Sequence, residues 1–284
     1  MVARYCFALA LSTALLAHVA SAQKCPLIWD GRVTLRTTPA DFDKNSSIYD
    51  HQYVHGENQT WAEIIKFPVV EPSLFDVPKL SKPVEVTLSD ASIFLSGPGG
   101  LQTGFRRSEL IPATNNGTDP SVIGTTTFHW SIRNDPARPL NYSHEYHPAW
   151  HETNSYDTEQ FTFETGQPFN QSFDPSVHNP RTLRLAGNRE VSPENMLFQT
   201  PFTENVWHNW AVTLGWDSKT RTPEKGRGPG GGQFHVGVFK QPTGPLGINV
   251  LYEGYQESHI NEGLIHGGVF IEDSSKGCVT TSLL

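Results

Sequence analysis

Cysteine is scarce in this 284-residue chain, which has three. Cys6 falls in an N-terminal segment with the marks of an export signal: Arg4, the apolar run Phe7 to Ala20, and the small-residue site Ala20-Ser21-Ala22. Cleavage there starts the mature chain near Gln23, so residues 1–22 read as signal peptide and 23–284 as a secreted, extracellular protein. That leaves Cys25 and Cys278, one near each end. A lone pair in an oxidising compartment predicts one bridge, two free thiols being the alternative. Closing so long a loop contributes roughly 3–5 kcal/mol in the chain-entropy model.

Other absences narrow the choice further. After the signal no apolar run approaches the ~20 residues a membrane-spanning helix needs, which excludes such a span. Positive charge is in deficit, with 21 Lys and Arg against 29 Asp and Glu, a net charge of −8. Without a basic stripe, nucleic acid and anionic membranes are excluded as partners. Linkers rich in Ser, Thr or Pro, charge blocks and fixed-period repeats are missing too, so 23–284 is expected to form a single, monomeric domain. Five Asn-x-Ser/Thr sequons, at Asn45, Asn58, Asn116, Asn141 and Asn170, fit a eukaryotic secreted glycoprotein.

Helical periodicity is hard to find, and period-two alternation is easy. Val84, Val86 and Leu88 alternate with Glu85 and Thr87, and Phe128, Trp130 and Ile132 with His129, Ser131 and Arg133. The same pattern recurs at Phe161 and Phe163, from Trp210 to Trp216, and at Phe234, Val236 and Val238. Such segments are half-buried strands, and the 24 glycines and 21 prolines supply turns between them. The predicted fold is all-β: a β-jelly roll sandwich of two antiparallel sheets, one curved into an open concave cleft suited to an extended polymer.

Three strand-like stretches carry ionisable groups. In Gly104 to Ile111, Arg107 and Glu109 project to one face, either as a structural ion pair or as an acid beside its guanidinium. In Ser143 to Thr153, alternation puts Glu145, His147 and His151 on one face and His144 and Tyr146 on the other. A zincin needs His-Glu-x-x-His on a helix, whereas here the spacing is His-Glu-x-His and Pro148 would break a helix; no metal or other cofactor is expected. Acids and imidazoles among aromatics suit a sugar subsite instead, because aromatic faces stack on pyranose rings while polar groups bind hydroxyls. In Gln233 to Val238, parity places His235 opposite the core residues, on the cleft side. His208 shares the parity of Trp210 and reads as a core or capping residue. Glycosidic bonds are cleaved by two carboxyl groups, and Glu109 and Glu145 are the candidates lying within rigid strands. His235 joins them as a catalytic candidate. Arg107, His129, His147, His151 and Glu152 are substrate-binding candidates.

At these residues the chain resembles the fungal glycoside hydrolase family 131. The likeness runs through Trp29-Asp30-Gly31-Arg32, Tyr53-Val54-His55-Gly56, Pro72 to Asp76, Phe105 to Leu110, Phe128 to Ile132 and His144-Glu145-Tyr146. It continues through Trp207-His208-Asn209, Phe234 to Lys240, Pro242-Thr243-Gly244 and Asn261-Glu262-Gly263. The resemblance implies a jelly roll with an open cleft and a broad β-glucanase, exo-acting on β-1,3 and β-1,6 glucans and endo-acting on β-1,4 glucans. It also implies that Glu109, Glu145 and a histidine at His235 lie in the cleft, with Arg107 positioning a carboxylate. Trp130 would be a sugar platform only if its parity were reversed. Between Trp216 and Phe234 the chain departs from the family, which has a strand pair there. The run Asp217 to Gly232, rich in Pro, Gly, Lys and Arg, cannot supply a half-buried strand, so either the hairpin is lost or an exon boundary is misread. Losing it would expose strand edges.

Two rival readings share the architecture. Alginate-type polysaccharide lyases carry an Arg-x-Glu-Leu strand resembling Arg107 to Leu110, and their product gains an ultraviolet-absorbing double bond. A glucan-binding lectin would bind without turnover.

Overall fold

Period-two alternation becomes strand wherever the five segments above occur. The computed structural model describes residues 25–169, 174, 178–188, 195–216 and 231–282. The first seven strands are β1 (Leu27–Asp30), β2 (Ile65–Lys66), β3 (Val84–Ser89), β4 (Phe94–Leu95), β5 (Leu101–Gln102), β6 (Arg106–Leu110) and β7 (Thr125–Asn134). They are followed by β8 (Glu145–Glu152), β9 (Glu159–Gly166), β10 (Thr182–Ala186), β11 (Met196–Pro201), β12 (His208–Gly215), β13 (Gln233–Lys240) and β14 (Asn261–Asp273). The signal segment, Asn170 and residues 217–230 of the Gly/Pro run lie outside the described residues.

All pairings among the described strands are antiparallel, in a jelly-roll sandwich of two six-stranded sheets. The front sheet runs β11-β10-β9-β8-β13-β6; the back sheet runs β12-β7-β14-β3-β2, with β1 also on β14. A small β4-β5 hairpin stands apart. Between the sheets lies one aromatic-rich core. Trp130 stacks on Phe161 with ring centroids 5.8 Å apart, and Phe128, Phe163 and Phe234 close around them. Trp130 is thus a core residue, as its parity predicts, and not a sugar platform.

The outer face of the back sheet is covered as well, which simple alternation does not foresee. Glu85 faces away from the core yet is fully buried, held by both arms of Arg138. His129 was a candidate for substrate binding, but it lies on this outer face. Its Nε2 is 2.8 Å from Glu272, and its ring stacks on Phe270 and meets the edge of Phe75. His208 half-caps the chain at Thr203, whose backbone N–H donates to its Nε2 over 3.1 Å. The expected bridge joins Cys25 to Cys278 across 253 residues of sequence, beside the β1–β14 pair.

Candidate active site

Strand β8 decides which side chains enter the cleft. Glu145 and His147 point to the outer face of the front sheet and Tyr146 to the core side. At Pro148 the pairing with β9 then slips by one residue: Tyr146 faces Thr165, but Ala149 faces Phe163. Proline has no N–H to give to a ladder and sits in strands mainly at such irregularities. The slip reverses the parity, since a one-residue shift sends every later side chain to the other face. His151, expected beside Glu145 and His147, therefore turns into the core. There its ring meets Phe128 at 5.1 Å and Trp216 at 5.1 Å. Burial pushes its pKa down to about 3, so it is an uncharged packing residue rather than a ligand for sugar. Trp150 and Glu152 take the cleft side instead.

The cleft holds about 620 Å³. Its lining includes Arg107 from β6, His147, Trp150 and Glu152 from β8, and His235 and Phe239 from β13. Its rim includes Tyr53, Phe94, Leu251 and Tyr156. On the floor, Arg107 donates from Nε to Glu109 Oε1 and from Nη2 to Glu109 Oε2, both over 2.5 Å. His235 Nδ1 donates to the same Oε2 over 2.8 Å. On its other side, His235 Nε2 lies 3.3 Å from Glu152 Oε2, an ion-pair contact that does not close into a hydrogen bond. Trp150 lies flat on His235, with ring centroids 4.7 Å apart and planes 11° from parallel. The Arg107 guanidinium rests against Phe239 at 5.0 Å and Phe94 at 5.2 Å. Gly237 pairs with Glu109 across β6 and β13; a Cβ there would stand 2.3 Å from the Ser108 carbonyl oxygen, so glycine permits the close approach.

Exposure separates the two acids. The Glu109 side chain is wholly buried, whereas that of Glu152 is 23% exposed to the cleft. Burial opposes charge on His235, but its hydrogen bond to Glu109 and the anion at Glu152 outweigh it and raise its pKa above the usual histidine value. Burial likewise pushes Glu152 up, while His235 and Arg107 pull it down further, leaving it below the ordinary glutamate range.

Glu145 belongs to a neighbouring cluster. Its Oε1 accepts from His147 Nε2 at 2.6 Å and its Oε2 from the Phe169 backbone N–H at 2.5 Å. Glu164, bound by Arg184 Nε at 2.8 Å, completes a group whose donor atoms with those of Glu145 and His147 lie within 4.8 Å of one another. Among the described residues these three are the one set spaced to hold a metal ion. There Arg184 pairs with Glu164, and His147 is bonded directly to Glu145. His147 reaches the cleft, and the buried Glu145 backs it.

Arg107, Glu109, Glu152 and His235 are therefore brought together, His147 sits beside them, Glu145 stands behind it, and His129 and His151 are elsewhere. Trp150 and Tyr156 were missed. The signal for Trp150 was Pro148 inside a strand reading, which should have suspended the alternation beyond it.

An all-β sandwich with acids and aromatics along an open cleft defines a class that includes polysaccharide hydrolases and lyases. Residues 27–277 match the glycoside hydrolase 131 catalytic N-terminal domain, and the chain belongs to that family. No curated protein sequence matches it significantly. The fold is similar to that of a GH131 β-glucanase catalytic domain from Podospora anserina, with a TM-score of 0.63 and 21% identity, covering 90% of this chain and 98% of that one. It is also similar to the catalytic domain of the glycoside hydrolase family 131 protein from Coprinopsis cinerea, with a TM-score of 0.58 and 22% identity, covering 90% and 97%.

Proposed function

We propose that this glycoside hydrolase is a secreted, monomeric β-glucanase acting on β-1,3, β-1,6 and β-1,4 linkages, with Glu109, His235 and Glu152 as its catalytic group. The observation that carries this reading is a single buried imidazole set between two carboxylates on the cleft floor. Contacts of 2.8 Å at Nδ1 and 3.3 Å at Nε2 set one carboxylate against each nitrogen of the ring, and a pair of carboxyl groups is what glycosidic cleavage requires. Glu152, partly open to the cleft and held ionised, takes the proton of the attacking water. The His235 imidazolium, held by Glu109, gives its proton to the departing glycosidic oxygen, and Arg107 fixes Glu109 beneath it. The sequence assigned chemistry to Glu145 and binding to Glu152; the geometry favours Glu152 for chemistry and Glu145 as support for a sugar-binding His147.

The bridge from Cys25 to Cys278 suits an oxidising compartment and supports secretion. Asn45, Asn58 and Asn116 are exposed and open to glycans, whereas the Asn141 Nδ2 is engaged by Glu257 at 3.0 Å.

Product analysis on laminarin, pustulan and a soluble β-1,4 glucan tests the proposal. New reducing ends are expected, and Glu109→Gln and Glu152→Gln should each lower kcat about a hundredfold or more. An unsaturated, ultraviolet-absorbing product would show a lyase, and binding without turnover a lectin. Turnover unchanged in both variants would dismiss the assigned acids.

A further inference from the structure

Tyr156 stands in the six-residue connection between β8 and β9, on the rim of the cleft four residues after Glu152. Two features set it apart. The residue is 64% exposed, and no aromatic contact holds its ring among the described residues. Its backbone has φ of +60°, the left-handed region, which a bulky side chain occupies at a cost of roughly 1–2 kcal/mol. Glycine or asparagine is the ordinary choice there.

The connection is built to impose that conformation. Thr153 N–H donates to the Thr158 carbonyl over 2.9 Å and Thr153 Oγ1 to the same oxygen over 3.0 Å. The Tyr156 N–H donates back to the Thr153 carbonyl over 3.0 Å, and Ser155 Oγ is bound to Asp157. Thr158 Oγ1 anchors the far end on Asn188 Oδ1 at 2.7 Å. Strain held in place by its surroundings, with a large unpacked ring at the mouth of a cleft, points to use of the ring by a ligand.

We propose that Tyr156 is a stacking platform for a glucopyranose ring, defining a glucan subsite beside Glu152. The apolar C–H face of the sugar lies on the ring, while Gln233 and Glu159, which also line the cleft, are within the same region for its hydroxyls. The proposal rests on the glycoside hydrolase reading above, and the measurements separate the two. Wild type, Tyr156→Phe, Tyr156→Ala and Tyr156→Gly are compared by kinetics on soluble glucan, by retardation in glucan-containing native gels, and by melting temperature.

In Tyr156→Ala and Tyr156→Gly, KM should rise roughly three- to tenfold, the worth of one aromatic contact, with a smaller loss in kcat. Tyr156→Phe keeps the wild-type KM, because the face rather than the hydroxyl binds. Tyr156→Gly melts above Tyr156→Ala, since glycine takes the left-handed backbone freely. An unchanged KM in Tyr156→Ala, a Tyr156→Phe as impaired as Tyr156→Ala, or a Tyr156→Gly that melts below Tyr156→Ala overturns the platform. If wild type releases no sugar, the hydrolase reading fails and the gels decide. Retardation kept by Tyr156→Phe and lost by Tyr156→Ala upholds the platform, and an unretarded wild type removes it.

Discussion

Because the His235 imidazole holds Glu109 on one side and faces Glu152 on the other, the charges of His235 and Glu152 depend on each other. Under the proposed mechanism, activity depends on pH through both groups. Glu152 is depressed below its ordinary 4.5, so the acid limb of kcat/KM falls below that value. His235 is raised above its ordinary 6.5, so the basic limb falls above that one. Stability follows the same signs. The contribution of His235 is fully present below pH 6.5 and is lost as pH rises through its folded value; that of Glu152 is present above 4.5 and lost as pH falls through its own. Glu109→Gln removes the anion that holds the imidazolium, so in its residual activity the basic limb should move to lower pH, read from a kcat/KM profile. A limb that stays in place would detach Glu109 from the proton transfer. Arg107, Glu109 and His235 were legible in the sequence because each lies on an uninterrupted strand, where parity alone gives the face.

Parity failed within an element, at Pro148 in β8. The core strands β3, β7, β9 and β13 were readable, since Val86, Trp130, Phe163 and Val236 bury where alternation puts them. The reading of β8 failed because a slip in pairing leaves no mark in hydrophobicity: His147, Ala149, Trp150 and His151 are all buried, on opposite faces. His129 was misplaced for a different reason, that sequence cannot show a second layer covering an outer sheet face. Two adjacent substitutions distinguish the faces of β8. His151→Leu exchanges one uncharged core side chain for another and should keep turnover within about threefold; it also removes the proton uptake that destabilises the fold as pH falls from 6.5 towards 3. Trp150→Leu strips the ring from His235 and should lower kcat/KM at least about tenfold. The reverse pattern, measured side by side with melting curves, would place the slip elsewhere.

At the scale of the whole molecule, the two-sheet architecture and the Cys25–Cys278 bridge were legible in the sequence, the first from repeated alternation and the second from cysteine scarcity. Residues 217–230 of the Gly/Pro run lie outside the described residues; beyond them β13 pairs with both β6 and β8 and delivers His235 to the cleft. The bridge is expected to matter for stability. Closing 253 residues of sequence separation contributes about 5 kcal/mol in the chain-entropy model, so the Cys25→Ser, Cys278→Ser double variant should melt roughly 10 °C or more below wild type. A loss of only a degree or two would mean that the unfolded chain gains little freedom when the bridge is cut.

That same bridge turns the polypeptide between its cysteines into a closed ring. A single protease cut in any loop of a ring opens it without releasing a piece. The two fragments stay joined, and the sandwich keeps both sheets and the cleft in register. On a gel, a nicked molecule would run as one species until a reductant separated it. A severed backbone is then a survivable injury.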